Sequence, residues 1–394
     1  MKFNQRPVIC ELEKEMATKS IIVVTGMRQV GKTTILNHLY EGVLTKNKVF
    51  LDFENPLHRK IFEEKNYDNI WNNLARSSVR NDALSYIFID EVQNFPGVSS
   101  QIKYLHDHWP VKFVLTGSSS FYLKNIFPES MAGRKIIYEV FPLTFSEFLV
   151  FKGQAANKPK DFKKIAENNN EVVYQQLIGL YREYLEFGGF PGVVLEANPA
   201  KKQKILGEIF KSYFEKEVKN LADFREIAKA RDLLLLLAAR VGSKIDIAKL
   251  SSELSLSWKT VDNYLTFFEQ TYFISLLPRH SRSIDRIVAG QRKLYFCDTG
   301  MASYLGKLSE GAIFEQSVFQ NLRVNHQLSY FEKETQTEID FVADGKTAIE
   351  AKLLPSKRDM NTLNSRAKLA GLNEAFCCSF SFSSLPQTFC ATGF

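Results

Sequence analysis

The stretch IIVVTGMRQVGKTTILNHL, Ile21 to Leu39, constrains this chain more than any other. Four apolar residues, Ile21 to Val24, predict a short buried strand, and GMRQVGKT, Gly26 to Thr33, fits G-x-x-x-x-G-K-[ST] at every position. Strand, glycine-framed loop and amphipathic helix in that order predict an α/β fold with a P-loop. The glycines let the backbone curl so that the N–H groups of Gly26, Met27, Arg28, Gln29, Val30, Gly31 and on to Thr34 point at phosphate oxygens, at the N-terminus of a helix beginning near Lys32. Lys32 is then placed to neutralise the β- and γ-phosphates, and the Thr33 hydroxyl to bind Mg²⁺.

A second apolar strand, YIFIDEVQN from Tyr86 to Asn94, ends in two carboxylates. Its chemistry is that of a Walker B strand, with Asp90 holding Mg²⁺ through water and Glu91 orienting and deprotonating an attacking water. A third, VKFVLTGSSS from Val111 to Ser120, ends in small hydroxyl residues, of which Thr116 and Ser118 are the candidates to sense a γ-phosphate. In AGRKIIYEVFPLTFSEFL, Ala132 to Leu149, Arg134 follows a small-residue turn, where an arginine can reach the γ-phosphate of a neighbouring subunit.

The order GMRQVGKTT, FIDEVQN, VLTGSSS, AGRKIIYEVFPLTFSEFL, EFGGFPGVV, RKLYFCDTGMASYL resembles prokaryotic AAA+ ATPases that carry a C-terminal nuclease-like domain of unknown function. The resemblance covers nearly the whole chain. It implies an AAA+ core, ATP rather than GTP, a helical lid after the core, and Arg134 as an arginine finger. The GTPase base-reading motif N-K-x-D is absent, which agrees with ATP.

At 394 residues the chain exceeds one ordinary core, and three domains are expected: an ATPase core over 1–155, a helical lid with a winged helix-turn-helix over 172–300, and a nuclease-like α/β domain over 308–394. Hydrophobic residues at 45% and charged residues at 24% exclude a disordered or disulfide-stapled chain. The longest apolar run, Leu233 to Ala239, is flanked by Asp232 and Arg240 and is too short to span a membrane, so it predicts a buried helix. Acidic residues early in MKFNQRPVICELEKEM argue against a signal peptide, which leaves a cytoplasmic protein as the expectation. Five cysteines without CxxC spacing, Cys10, Cys297, Cys377, Cys378 and Cys390, argue against a zinc site and predict reduced, buried thiols.

In the middle of the chain, KIDIAKLSSELSLSWKTVDNYLTFFEQ places Ala248, Leu250 and Leu254 on one face of a first helix. Ser257 is a candidate N-cap, and Val261, Tyr264, Leu265 and Phe268 form the inner face of a second helix. This is a helix-turn-helix pattern, with Lys259, Thr260, Asn263 and Thr266 outward as contacts for phosphates and base edges. FISLLPRH and KLYFCD predict the two strands of a wing, and the segment between them offers Arg279, Arg282 and Arg286. The net charge is +7, and residues 201–300 hold 18 Lys and Arg against 12 Asp and Glu, so most of the excess sits where a DNA reader would place it. The same unit also serves as packing inside AAA-type proteins.

Towards the C-terminus, GAIFEQSVFQNLRVN predicts a helix with Ile313, Val318, Leu322 and Val324 inward and Glu315 available. LSYFE, TEIDFVAD and KTAIEAKLL predict three strands, and a helix from about Asp359 to Ala370 closes the unit. That order is the core of the restriction-endonuclease-like fold, and Asp340 followed by Glu350-Ala351-Lys352 resembles the signature D…(D/E)-x-K. Asp340 and Glu350 would offer hard oxygen ligands to Mg²⁺ with Glu315 approaching from the helix. Lys352, on the face of Glu350 by strand alternation, would position water or neutralise a scissile phosphate.

Two readings follow. One is an AAA+ ATPase acting on DNA and coupled to a Mg²⁺-dependent nuclease. The other is an ATP-driven switch that binds protein or nucleic acid, its nuclease-like domain docking without cutting. An Arg134 that acts in trans implies a homo-oligomer, with a hexameric ring as the natural form. A helicase-like translocase is disfavoured, because helicase motifs beyond the two Walker elements are missing.

Overall fold

The computed structural model describes residues 4–76, 79–80, 82–118, 133–155, 161–218, 227–333 and 337–394. Ser119 and Ser120 of the third motif, and Ala132 before Arg134, lie outside the described residues. The chain divides into two units, one of residues 1–141 with 270–272 and one of residues 142–269 with 273–394. The division falls at Phe141 rather than near residue 155, and the helical middle and the C-terminal strands share one unit instead of forming two.

The first unit is a parallel sheet of five strands, β1 (Ile21–Thr25), β2 (Lys48–Asp52), β3 (Ser85–Asp90), β4 (Val111–Gly117) and β5 (Lys135–Glu139), in the spatial order β2-β3-β4-β1-β5. β1 and β4 are buried along their whole length, as strands with covered faces must be; β1 is apolar from Ile21 to Val24, and β4 also buries Lys112, whose ammonium donates to the Glu15 and Thr18 carbonyls. Helices α1 (Pro7–Glu15), α2 (Lys32–Gly42), α3 (Pro56–Lys60), α4 (Tyr67–Ala75) and α5 (Val98–His108) accompany the sheet. Ile70, Trp71 and Leu74 of α4 and Val98, Ile102 and Leu105 of α5 share one core with Ile21, Val23, Ile87, Ile89, Phe113 and Leu115. Because all five strands run the same way, the ends of β1, β3 and β4 bring Thr25, Asp90 and Gly117 to one edge of the sheet. Ligands of open α/β sheets bind at such an edge.

The second unit begins with helices. The helix Glu171–Phe187 stops at Gly188, whose φ of +76° is one that L side chains rarely adopt. Asp298 explains the stop: it accepts hydrogen bonds from the Gly189 amide at 2.6 Å, the Met301 amide at 3.2 Å and Gln320 Nε2 at 3.0 Å. A Cβ on Gly188 would meet the Asp298 carboxylate at 1.8 Å, and one on Gly300 would meet the Phe187 carbonyl at 2.1 Å. The segments EFGGFPGVV and CDTGMASYL are thus two halves of one packing joint.

The helices Ile247–Leu254 and Trp258–Gln270 follow, with the Ser257 hydroxyl accepting from the Thr260 amide at 3.0 Å as an N-cap. In the first of them Ala248 is exposed, contrary to expectation, and the inner face is Leu250 and Leu254 with Ile247 half-buried, a stripe set one residue earlier. Strands β6 (Ile274–Leu277) and β7 (Lys293–Phe296) pair antiparallel. β8 (Leu328–Glu332), β9 (Glu338–Ala343) and β10 (Thr347–Lys352) form an antiparallel run, and β11 (Glu374–Ser379) joins β10 in parallel, with β12 (Thr388–Cys390) at the edge. A parallel neighbour needs a crossover, and the helix Lys357–Ala370 supplies it, packing Met360, Leu363 and Ala367 on Ile339, Val342 and Ala348.

Three smaller expectations change. Val324 is exposed because the helix Glu310–Leu322 ends before it. The run from Leu233 is amphipathic rather than buried all round, with Leu235 outward. Four of the cysteines are buried free thiols, but Cys10 is exposed. Among the described residues no helix is long and apolar enough to cross a membrane.

Candidate functional site

The loop after β1 is shaped by backbone angles that few residues adopt. Gly26 has φ +148°, Gln29 +63° and Gly31 +99°. A Cβ on Gly26 would lie 2.0 Å from the Val140 carbonyl oxygen, so glycine is required there for close approach as well as for conformation. Gly31 precedes α2 as its N-cap and, having no side chain, supplies no capping oxygen to the helix's first turn. Arg28 is half-buried, Gln29 exposed, and Met27 and Val30 buried as the loop's apolar underside. Lys32 Nζ lies within the loop and donates to the Gly26 and Met27 carbonyls, both at 2.9 Å.

Across the sheet edge the two Walker elements meet. The Thr33 hydroxyl donates to Asp90 Oδ2 at 2.8 Å, while Thr116 Oγ1 donates to Asp90 Oδ1. Thr116 also accepts from the Glu91 amide at 3.1 Å. Glu91 adopts φ +53° and ψ +48°, a left-handed conformation costing about 1–2 kcal/mol for an L residue, at the point where β3 ends. Its carboxylate accepts from Gln93 Nε2, and Gln93 Oε1 accepts from the Ser118 amide at 3.3 Å. Hence Thr116 contacts Asp90 and the Glu91 backbone directly, and Ser118 reaches Glu91 through Gln93. The Ser118 hydroxyl is buried and has no hydrogen-bond partner among the described residues.

Two residues of this site escape a reading of the sequence. Gln93 is one, although it stands in the same motif as the two acids. Arg6 is the other: it is buried and donates to the Val30 carbonyl at 3.0 Å and to the Phe141 carbonyl at 2.9 Å, tying the loop to the strand-β5 side of the sheet. Nothing local in RPVICELEKE signals that bond, because its partners stand 24 and 135 residues away.

Arg134 stands elsewhere. Its carbonyl accepts from the Ile21 amide at 2.7 Å, at the start of β1, whereas the loop follows the end of β1. Four strand steps separate these ends, about 13 Å at 3.3 Å per residue. Its guanidinium is paired with Asp107 through two bonds, at 2.9 and 3.2 Å, and holds that carboxyl below its ordinary value. Its guanidinium thus faces Asp107, at the end of β1 away from the loop.

Residues 18–149 match the family model of the AAA domain, and residues 178–312 match a domain of unknown function, DUF8612. The chain carries an AAA domain. An uncharacterized protein of Methanocaldococcus jannaschii is 27% identical over 376 residues, 93% of this chain and 80% of that protein. One of Haemophilus influenzae is 25% identical over 342 residues, 83% and 80% of the two chains. Among solved structures, the Walker-type ATPase of Pyrococcus abyssi aligns with a TM-score of 0.48 at 13% identity, over 77% of this chain and 96% of that one. The AAA domain accounts for the parallel sheet, the P-loop and the two Walker acids.

The residues singled out for DNA are spread over three elements of the second unit. Lys259 and Asn263 are exposed on the helix Trp258–Gln270, with Lys259 3.8 Å from Asp262, and Thr260 is half-buried with its hydroxyl 2.8 Å from that of Ser257. Arg286 is exposed on the short helix Ile284–Val288. Arg282 is exposed and extends over the helix end at Gly371, where a Cβ would come within 2.6 Å of its Nη2. Arg279 is committed to structure, donating through Nε at 3.1 Å and through Nη2 to the Glu332 carbonyl, beside the bridge from Arg279 to Tyr330.

Glu315, Glu338 and Asp340 come together around Lys293, the lysine of the expected wing strand KLYFCD. Lys293 Nζ on β7 lies 2.8 Å from Glu338, 3.0 Å from Glu315 and 3.7 Å from Asp340. Tyr295 donates to Glu315 at 2.7 Å, and Asp340 Oδ2 accepts from the Ala351 amide at 3.0 Å. Glu350 faces Lys352 at 3.1 Å and Arg366 at 3.6 Å, so the expected sharing of a face by Glu350 and Lys352 is present. Burial and then the Asp340 charge push the carboxyls of Glu315 and Glu350 up. Burial works against the Lys293 ammonium, but Glu315, Asp340 and Glu338 outweigh it and raise its pKa. Glu338 was legible in principle, since it shares a strand face with Asp340 two residues on.

Proposed function

We propose that the protein binds and hydrolyses ATP in the P-loop and uses the cycle as a switch acting on DNA. The observation that carries the ATP part is the bonded chain Thr33–Asp90–Thr116–Glu91, which links the phosphate loop to the general base across two strands. Amides of the loop and of the α2 N-terminus face the phosphates, and the Lys32 ammonium offsets their charge. The Thr33 hydroxyl and the Asp90 carboxylate are hard oxygen donors already 2.8 Å apart, a set that fits Mg²⁺. When bound, Mg²⁺ supplies neutralisation of the β- and γ-phosphate oxygens. Glu91, held by Gln93, takes the proton of the attacking water as the bond to the γ-phosphorus breaks towards ADP and phosphate.

Lys32→Ala and Glu91→Gln test this: both should abolish turnover, while only Glu91→Gln retains bound ATP. Equal loss of binding in both overturns the assignment. DNA contact is read through the exposed cations Lys259, Arg282 and Arg286. Their joint replacement by Gln should lower both the affinity for duplex DNA and the steepness of its salt dependence, and an unchanged salt slope refutes it. Arg134 supports a homo-oligomer, a ring being the form in which each site receives a neighbour's arginine. Mass in solution with and without ATP tests that.

The second reading, a switch whose C-terminal module docks without cutting, is favoured by Lys293. Of the carboxylates expected to hold Mg²⁺, Asp340 and the approaching Glu315 already face the Lys293 ammonium, while Glu350 faces Lys352 and Arg366.

A further inference from the structure

Mg²⁺ takes oxygen ligands at about 2.0–2.1 Å in near-octahedral order and keeps several waters. The cluster of Glu315, Glu338, Asp340 and Glu350 does not fit that demand. One oxygen of Glu315 already accepts from both Lys293 and Tyr295. Asp340 has one oxygen turned to Lys293 and the other bound to the Ala351 amide. The Lys293 side chain is 3% exposed, so it is fixed among these groups rather than laid across them from solvent. A second cation bound to the same oxygens would stand against that ammonium with little water between them. Among the described residues no three His, Cys, Asp or Glu groups are set to hold a metal ion.

Glu350 is 6% exposed, and its Oε2 is buried with no hydrogen-bond partner. A carboxylate oxygen left so is costly, and the cations beside Glu350, Lys352 and Arg366, both reach its other oxygen, Oε1.

We propose that Lys293 is the resident cation of this carboxylate cluster and keeps divalent metal out, so that the C-terminal fold is a metal-free module. Lys293 and Tyr295 both belong to β7, whose partner β6 follows the helix-turn-helix. The exclusion is therefore built into the strand pair that leads from the helical part of the unit to its sheet. The inference deepens the docking reading of this unit and is independent of the ATP assignment.

The test uses the full chain carrying Lys32→Ala, without nucleotide, titrated with Mn²⁺ while free Mn²⁺ is followed by electron paramagnetic resonance. The chain with Lys293 should bind no more Mn²⁺ than one that also carries Asp340→Asn. Lys293→Met should create one site, at least about tenfold tighter than any in its parent, and adding Asp340→Asn should abolish it. Asp340-dependent Mn²⁺ binding by the chain with Lys293 overturns the proposal. So does a folded Lys293→Met protein that gains no site. If circular dichroism shows that Lys293→Met does not fold, the comparison of the parent with Asp340→Asn still decides. Incubation of the Lys32-intact chain with plasmid DNA and Mn²⁺ adds a second readout: cleavage lost on Asp340→Asn also overturns it. Failure of the ATP reading would show instead as absent ATP turnover in the Lys32-intact chain, with the Mn²⁺ result unaffected.

Discussion

Thr116 is fully buried, and one hydroxyl performs two duties, donating to the Asp90 carboxylate and accepting from the Glu91 amide. Thr116→Val keeps the shape and removes both bonds. A hydrogen bond to a charged group is worth about 1.5–3 kcal/mol, and a buried amide left unmet costs about 1–3 kcal/mol. Asp90 retains its bond from Thr33, so the expected loss lies at about 2–5 kcal/mol. For a unit of this size that lowers Tm by roughly 5–15 °C. The catalytic effect is separate. Glu91 is held in a left-handed conformation by its amide bond, and once released it relaxes and its carboxylate turns away from the phosphate side. General-base catalysis is worth roughly 10²–10⁴-fold, so kcat should fall by about 10² or more. ATP affinity should change by only a few-fold, because the phosphate-facing amides belong to the loop and α2. Steady-state ATP hydrolysis, binding of a fluorescent ATP analogue and a thermal melt measure the three quantities. Thr116→Ser, which keeps the hydroxyl, should restore most of the turnover. A Thr116→Val protein with kcat within about threefold of the parent and an unshifted melt would refute the argument.

Gly26→Ala should abolish nucleotide binding and lower Tm, since its methyl would stand 2.0 Å from the Val140 carbonyl oxygen; binding calorimetry with ATP checks it. Arg134→Ala breaks a half-exposed pair and should shift stability by no more than about 1 kcal/mol. If Arg134 serves a neighbouring site, ATPase activity should nonetheless fall steeply while Asp107→Asn leaves it intact, and equal rates in the two variants would dismiss the finger. Asp298 is buried, and burial pushes its carboxyl up to about 6. An acid whose folded pKa is raised stabilises the fold below its unfolded value of about 4, and that contribution is lost as pH rises through about 6. The melting advantage of the parent over Asp298→Asn should therefore shrink between pH 4 and pH 6, by on the order of 3 kcal/mol, and a constant difference across that range counts against it.

The form of the P-loop was legible because most of its bonds are local. Gly26, Gly31, Lys32 and Thr33 lie within eight residues, and Lys32 bonds to carbonyls of the same loop, although Arg6 and Val140 brace it from a distance. Asp90 and Glu91 were legible for a related reason: in a parallel sheet every strand delivers its C-terminal residue to the same edge, so an acid at a strand end lands near the loop. Arg6 and Gln93 were not, since their value lies in which carbonyl or carboxylate the fold brings to them. The same holds for Lys293. Its neighbours in KLYFCD predict a strand, and the strand exists, but no pattern in four residues tells which carboxylates will surround its one lysine. Ala248 failed on a smaller scale, where a helical stripe read one residue out of phase still gave the right two leucines.

The motifs EFGGFPGVV and CDTGMASYL carry a different lesson about reading function from pattern. Both look like sites, with paired glycines, a proline and an acid beside a threonine. The acid in fact satisfies the amides of Gly189 and Met301, and the glycines make room for its carboxylate and for the Phe187 carbonyl. Asp298 is fully buried and its oxygens are consumed within the joint, so nothing remains for a ligand. At the P-loop Gly26 takes φ +148° and lets the backbone close on the Val140 carbonyl just before a helix begins, and at this joint the glycines close the backbone onto another segment. A glycine therefore does not by itself mark a binding site, since at both places it admits an atom of the chain. Which atom that is depends on where residues more than a hundred positions apart come to rest.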